Sequence, residues 1–194
     1  MLFLLDELQR AKIREKILSY PYSKQVDILN YIIKDSLLFD RSGSFNYYVD
    51  EVLTSIFSCV SIPLKIKGYK LNCKIQGNKG ALCEFASIAG AVCLVINDYI
   101  LSKANKITFD VNIKNHVIIK ISSDGGSITT ESEKILNNTA LIHHGICLFL
   151  KGENSAITLK FPYIKGKALL TPPSPLQLID DKYSVVRILL HNLF

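Results

Sequence analysis

The sequence predicts an α+β fold: an N-terminal helical hairpin, then a two-layer α/β sandwich, then a C-terminal helix. Three observations carry this. Apolar residues recur at helical spacing over the first sixty residues and again from 81 to 102. They alternate at period two in the neighbouring runs 107–113 and 117–121, split by the turn Lys114-Asn115. Beyond the hairpin the order is helix, strand, helix, strand, strand, helix, strand, strand, which places helices on one face of a mixed sheet.

Taken in order, Leu4, Leu8, Ala11 and Ile17 or Leu18 form a first helical stripe. It ends at Tyr20-Pro21, because a residue before proline is pushed out of the helical region. Ser23 caps a second helix with Val26, Leu29, Ile33 and Leu37 on one face. These two helices make up residues 1–44, and their stripes need a cover such as a second copy of the chain. Val49, Val52, Leu53, Ile56 and Val60 mark a third helix, with Pro63 expected beyond its end. Tyr69, Leu71, Cys73 and Ile75 alternate with Lys70, Asn72 and Lys74 as a half-buried strand. A turn at 77–80 leads into a largely apolar helix over 81–102, followed by the hairpin. Residues 122–130 are a polar, glycine-containing loop and 131–142 a helix. Strands near 145–151 and 155–161 flank the turn Gly152-Glu153-Asn154 and complete a sandwich spanning 45–166.

Residues 167–194 differ in style. Pro172, Pro173 and Pro175 mark a linker. Ser174-Pro175-Leu176-Gln177 has a cap, a proline at the first helical position and Gln three residues after the cap, which starts a helix. Leu176, Ile179, Tyr183, Val186 and Leu190 extend it as one stripe almost to the end.

Composition narrows the function classes. Hydrophobic residues are 48% of the 194 and charged residues 21%, enough to bury a core and too apolar for disorder. The net charge of +6 comes from scattered lysines with no run of five like charges, which reads as a solvated sheet face and not a nucleic-acid patch. Five cysteines, an odd number without C-x-x-C spacing, indicate neither a disulfide framework nor a zinc site and fit a reducing compartment. Four apolar residues after Met1 are too few for a signal segment, and the uncharged run 85–97 is shorter than a membrane span. A cytoplasmic chain without membrane or nucleic-acid contacts is expected.

The element order, together with Val49-Asp50-Glu51-Val52-Leu53 at the first sandwich helix, resembles the ATP-binding domain of sensor histidine kinases, the Bergerat-type (GHKL) fold, over residues 45–162. Residues 26–40 resemble the second helix of the kinases' dimerisation hairpin, and Asp40-Arg41-Ser42-Gly43 sits where those kinases leave it. The resemblance implies an asparagine box holding magnesium on the central helix. Cys93-Leu94-Val95-Ile96-Asn97-Asp98 occupies that place: Asn97 matches the main asparagine, Cys93 replaces another, and Asp98 replaces an alanine. Magnesium prefers hard oxygen ligands, so Cys93 is a poor substitute. The family's first glycine box, D-x-G-x-G, meets Ser122-Ser123-Asp124-Gly125-Gly126-Ser127. Gly125 matches the first glycine, Ser123 stands where the adenine-binding aspartate belongs, and Ser127 replaces the second glycine. Asp124 reaches the adenine position only through a one-residue shift, which redirects the side chain.

Only residues 128–130 separate this loop from the next helix, so the family's lid and second glycine box are missing. Ile142-His143-His144-Gly145-Ile146-Cys147-Leu148 matches the step into the penultimate strand, and Ala156-Ile157-Thr158-Leu159-Lys160-Phe161-Pro162 the final strand. The histidines are His116, His143, His144 and His191, none on the N-terminal helices where the family carries its phospho-accepting histidine. The pair His143-His144 reads as part of the family turn, not a metal or phosphoryl site.

The expected function is therefore a non-catalytic, histidine kinase-like signalling protein, homodimeric through its hairpin, binding a response regulator or a kinase, and needing no cofactor. A divergent ATPase or kinase using ATP and magnesium through Asn97, Asp124 and Gly125 is the alternative, and a histidine phosphotransferase a further one. The final helix is expected to cover the emptied nucleotide site.

Overall fold

The computed structural model describes residue 21 and residues 45–150, 155–181 and 184–194. Apart from Pro21, these all lie in one compact unit, Leu37–Phe194. The hairpin helices expected within 1–44 lie outside the described residues.

The elements are β1 (Tyr47–Tyr48), α1 (Val49–Ile66), β2 (Lys70–Gly77), β3 (Leu82–Cys83), α2 (Phe85–Leu101), β4 (Lys106–Ile113), β5 (His116–Ser123), α3 (Thr130–Ile142), β6 (Ile146–Leu150), β7 (Ala156–Pro162), α4 (Pro175–Asp180) and α5 (Val185–Leu189). Five strands form one mixed sheet in the order β2-β4-β5-β7-β6. β2 and β4 run parallel, and every other neighbouring pair is antiparallel. Ile107, Phe109, Val111, Ile113, Val117, Ile119, Ile121 and Leu159 turn one face of the sheet into the core. On the other face Lys74 stands opposite Asp110, and Asp110 opposite Lys120, all exposed. Lys74 and Lys120 thus belong to a solvated sheet face of alternating sign.

α2 is buried on every side from Ser87 to Tyr99. A helix buried all round needs cover all round, and α1, α3 and α5 each pack against it on the helical side of the sheet.

Three expected boundaries change, each for a local reason. α1 does not stop before Pro63 but runs three residues past it, with Leu64 fully buried. The stop is Gly68 at φ +87°, where the Gly68 N–H bonds to Lys65 O (3.0 Å) and the Tyr69 N–H to Leu64 O (2.9 Å), a Schellman closure. The same closure ends α2 at Lys103 and α3 at His144, both left-handed without being glycine. Next, the helix expected from residue 81 begins only at Phe85. Leu82 and Cys83 pair instead with Tyr48 and Tyr47, while the Leu82 N–H bonds to Ile164 O (2.8 Å).

Finally, the tail is two helices and not one. The capping box at Ser174 forms as expected, with the Ser174 N–H donating to Gln177 Oε1 (2.8 Å) and the Gln177 N–H to Ser174 Oγ (3.3 Å). Asp181 is then extended, and Ser184 caps a new helix by accepting the Arg187 N–H (3.0 Å). Leu176, expected in the stripe, is exposed, whereas Leu178, Val186, Leu189, Leu190 and Leu193 are buried. α4 packs on α1 and α5 on α2.

Candidate functional site

Two polar clusters sit at opposite ends of α2. The first contains the residues singled out in the sequence. Asn97, in the last turns of α2, is 8% exposed. Cys93, one turn earlier, is fully buried; burial and then nearby Cys59 of α1 push its thiol far up. Asp98 is 3% exposed, and its carboxylate reaches α3. The Thr129 N–H donates to Asp98 Oδ2 at 2.9 Å, and the Thr129 hydroxyl shares its proton between that oxygen (3.1 Å) and Ser132 Oγ (2.9 Å). Thr129 is the N-cap of α3 and accepts the Ser132 N–H on its hydroxyl oxygen (3.1 Å). A helix N-terminus attracts anions through its free N–H groups and the helix dipole. Here the anion at that terminus is the chain's own carboxylate.

The glycine-containing loop lies alongside. Ser123, aligned with the adenine-binding aspartate, is buried; its hydroxyl oxygen accepts the Gly126 N–H (3.1 Å) and lies 3.2 Å from the Ser155 hydroxyl. The Ser155 hydroxyl also donates to Gly126 O. A Cβ on Gly126 would stand 2.5 Å from Ser123 Oγ and 2.8 Å from Tyr99 Cδ1, so only glycine fits. Gly125 is exposed, at φ +88° with open space around it. Asp124 is exposed and turned toward β4: its Oδ1 accepts the Lys106 N–H (2.6 Å), and its own N–H donates to Lys106 O (3.3 Å). Ser127 is tied to the end of α2 through the Ser102 hydroxyl (2.9 Å). The loop and the end of α2 are therefore brought together, but among the described residues no hydrogen bond joins Asn97 to Asp124. A cleft of about 140 Å³ opens beyond the end of the loop, lined by Ser127, Ile128, Thr130, Glu133, Phe149 and Leu150 among others.

The second cluster, at the start of α2, is legible only in the structure. The buried Ser87 hydroxyl donates to Glu84 Oε2 (2.6 Å) and lies 2.7 Å from His143 Nε2, which stands 3.3 Å from the same carboxylate oxygen. With the serine proton directed at Glu84, the proton on Nε2 completes the chain by pointing at Ser87 Oγ. Phe45 and Phe161 flank the imidazole edge-on, at centroid distances of 6.0 and 6.3 Å. Burial lowers the His143 pKa, and neighbouring His144 lowers it further. The adjoining cavity holds about 20 Å³, room for one water and no more. The cluster thus ties the start of α2 to the end of α3 in a site closed to a substrate. Among the described residues, no three His, Cys, Asp or Glu side chains are grouped to hold a metal.

Glu84, Ser87 and Thr129 escaped sequence reasoning. Glu84 left one signal, as the sole charge between residues 80 and 97. Thr129, with Ser132 three residues on, left the outline of a helix cap.

Solved structures that share this fold include histidine kinases. The structure matches the histidine kinase AdeS of Acinetobacter baumannii over 84% of this chain and 94% of that one, with TM-score 0.55 and 15% identity. It matches the nucleotide-free catalytic domain of histidine kinase ThkA over 61% and 95%, with TM-score 0.52 and 9% identity. Full-length ShkA, solved in complex with AMPPNP, matches over 75% of this chain and 36% of that one, with TM-score 0.52 and 11% identity. No protein-family profile matches the sequence, and no curated protein sequence does. The chain has the histidine kinase-like, GHKL-type fold. No helix among the described residues is long and apolar enough to cross a membrane.

Proposed function

We propose that this chain is a non-catalytic member of the two-component signalling repertoire, acting by binding a protein, a response regulator or a kinase, in the cytoplasm. The observation that carries this reading is the Asp98 carboxylate seated on the N-cap of α3 by the Thr129 N–H, with the Thr129 hydroxyl shared between it and Ser132. In a nucleotide-using relative of this fold, that helix start is where phosphate would be received. A bound carboxylate repels phosphate and already uses the donors. Three further features agree. Ser123 spends its hydroxyl inside the loop, Cys93 lies in the core where a hard oxygen ligand would be needed, and α5 covers the outer side of α2. On this reading the residues present do not fit a magnesium nucleotide. On this reading the chain needs no cofactor and dimerises through the hairpin of residues 1–44.

Calorimetry with ATP and ADP, with and without magnesium, tests it. No heat is expected at millimolar nucleotide, and direct titration with receiver domains or kinases should give binding. Micromolar, magnesium-dependent ATP binding that Asn97→Ala abolishes would overturn the reading. It would favour the divergent ATPase, whose one specific support is the exposed, left-handed Gly125 with open space around it.

A further inference from the structure

The two edges of the mixed sheet are built differently. β2, at one edge, carries Lys70 and Lys74, both exposed. Lysine on an edge strand is a standard defence against pairing with another chain. β6, at the other edge, reads Ile-Cys-Leu-Phe-Leu, with no charge, no proline and no glycine. Its alternate residues Ile146, Leu148 and Leu150 are 54, 61 and 65% exposed. In register they stand beside Lys160, Thr158 and Ala156 of β7 on the open sheet face. Among the described residues no strand pairs with the outer side of β6.

We propose that β6 is a self-association edge, pairing antiparallel with β6 of a second copy about a twofold axis through Leu148. The strip suits its own copy. Antiparallel pairing centred on Leu148 sets Ile146 opposite Leu150 of the second copy, and Leu148 opposite its own equivalent. Aliphatic meets aliphatic at every exposed position. On the other side Cys147 meets Phe149, and all of these are favourable cross-strand pairs. Among the described residues, charge does not oppose the contact. The nearest lysine in register, Lys160, sits one strand in from the edge. Its equivalent in the second copy would lie three strand spacings across and four residues along, about 19 Å away, beyond the roughly 8 Å screening length of physiological salt. The small strip limits the strength. Two such edges bury less than about 1,200 Å², which places the contact among weak, transient interfaces. The proposal does not depend on the functional reading above.

The test is site-specific, so that dimerisation elsewhere does not confuse it. Leu148→Cys and, as the control edge, Lys74→Cys are introduced into the full chain. Both are oxidised mildly at 50 µM protein, and cross-linked peptides are identified by mass spectrometry. Residues directly opposite in an antiparallel pair are about 4.5–5.5 Å apart, within disulfide reach. The expected result is a 148–148 cross-link formed at least tenfold faster than any 74–74 cross-link. In addition, Leu148→Lys should weaken concentration-dependent sedimentation at least tenfold with an unchanged circular dichroism spectrum. A 148–148 rate no faster than the control overturns the proposal, whether the strip is then free or meets a different partner.

Discussion

Replacing Asp98 by alanine empties the anion position on α3, and the structure sets the size of the effect. The substitution removes the acceptor of the Thr129 N–H and of the Thr129 hydroxyl. A hydrogen bond to a charged group contributes about 1.5–3 kcal/mol. A carboxylate near a helix N-terminus adds about 0.3–1 kcal/mol. Thr129 is exposed, so water takes over part of its bonding, and the total loss should fall at about 2–3 kcal/mol. With a urea slope of about 2 kcal/mol per molar, the midpoint drops by roughly 1–1.5 M. Asp98→Asn, which keeps an acceptor oxygen but not the charge, should lose about half as much. Chemical unfolding followed by circular dichroism measures the midpoint, and hydrogen exchange reports whether the first turn of α3 opens. Sulfate should stabilise the alanine variant more than the parent, because a free anion can then occupy the vacated seat. A midpoint shift below about 0.25 M, or equal sulfate effects on both proteins, would refute the seat and with it the main support for a nucleotide-independent role.

Other expectations follow from single contacts. Lys103→Gly and His144→Gly remove left-handed strain at the ends of α2 and α3 and should each stabilise the fold by about 1 kcal/mol in urea titrations. Gly126→Ala drives a methyl into Ser123 and Tyr99 and should cost about 1–3 kcal/mol in the same assay, more than Gly125→Ala, which meets open space and only backbone strain. His143 has its folded pKa lowered by burial, so the unfolded chain takes up its proton first as pH falls. Stability should therefore be full above the unfolded value of about 6.5 and decline below it. Urea midpoints at pH 7.5 and 5.5 should differ less in His143→Gln than in the parent. Burial pushes the Cys59 thiol up to about 11, so a thiol reagent at pH 8 should label it only after urea unfolds the chain.

What was legible in the sequence was periodic or local. The hairpin Ile107 to Ile121 alternates without a break, and the capping box at Ser174 lies within four residues; both formed as read. Two-residue strands such as Tyr47–Tyr48 and Leu82–Cys83 have no period to detect and exist because the chain segments are brought side by side. Pro63 suggested a helix end by itself, yet Gly68, five residues on, supplied the conformation that ends α1. Asn97, Asp124 and Gly125 could be placed on a helix end and a loop. Their partners could not, because bonds such as Asp98 to Thr129 and Ser87 to His143 join residues 31 and 56 apart. The resemblance to histidine kinases fixed the fold because element order survives where side-chain identity does not.

The cover of α2 by α5 also bears on how the protein is made. Translation supplies residues in order, at about 5–20 per second. α1, α2 and the sheet are complete well before Val186, Leu189, Leu190 and Leu193 leave the ribosome. Until they do, the outer side of α2 is bare apolar surface, open to chaperones and to other nascent chains. A premature stop before residue 185 should therefore leave that side of α2 exposed.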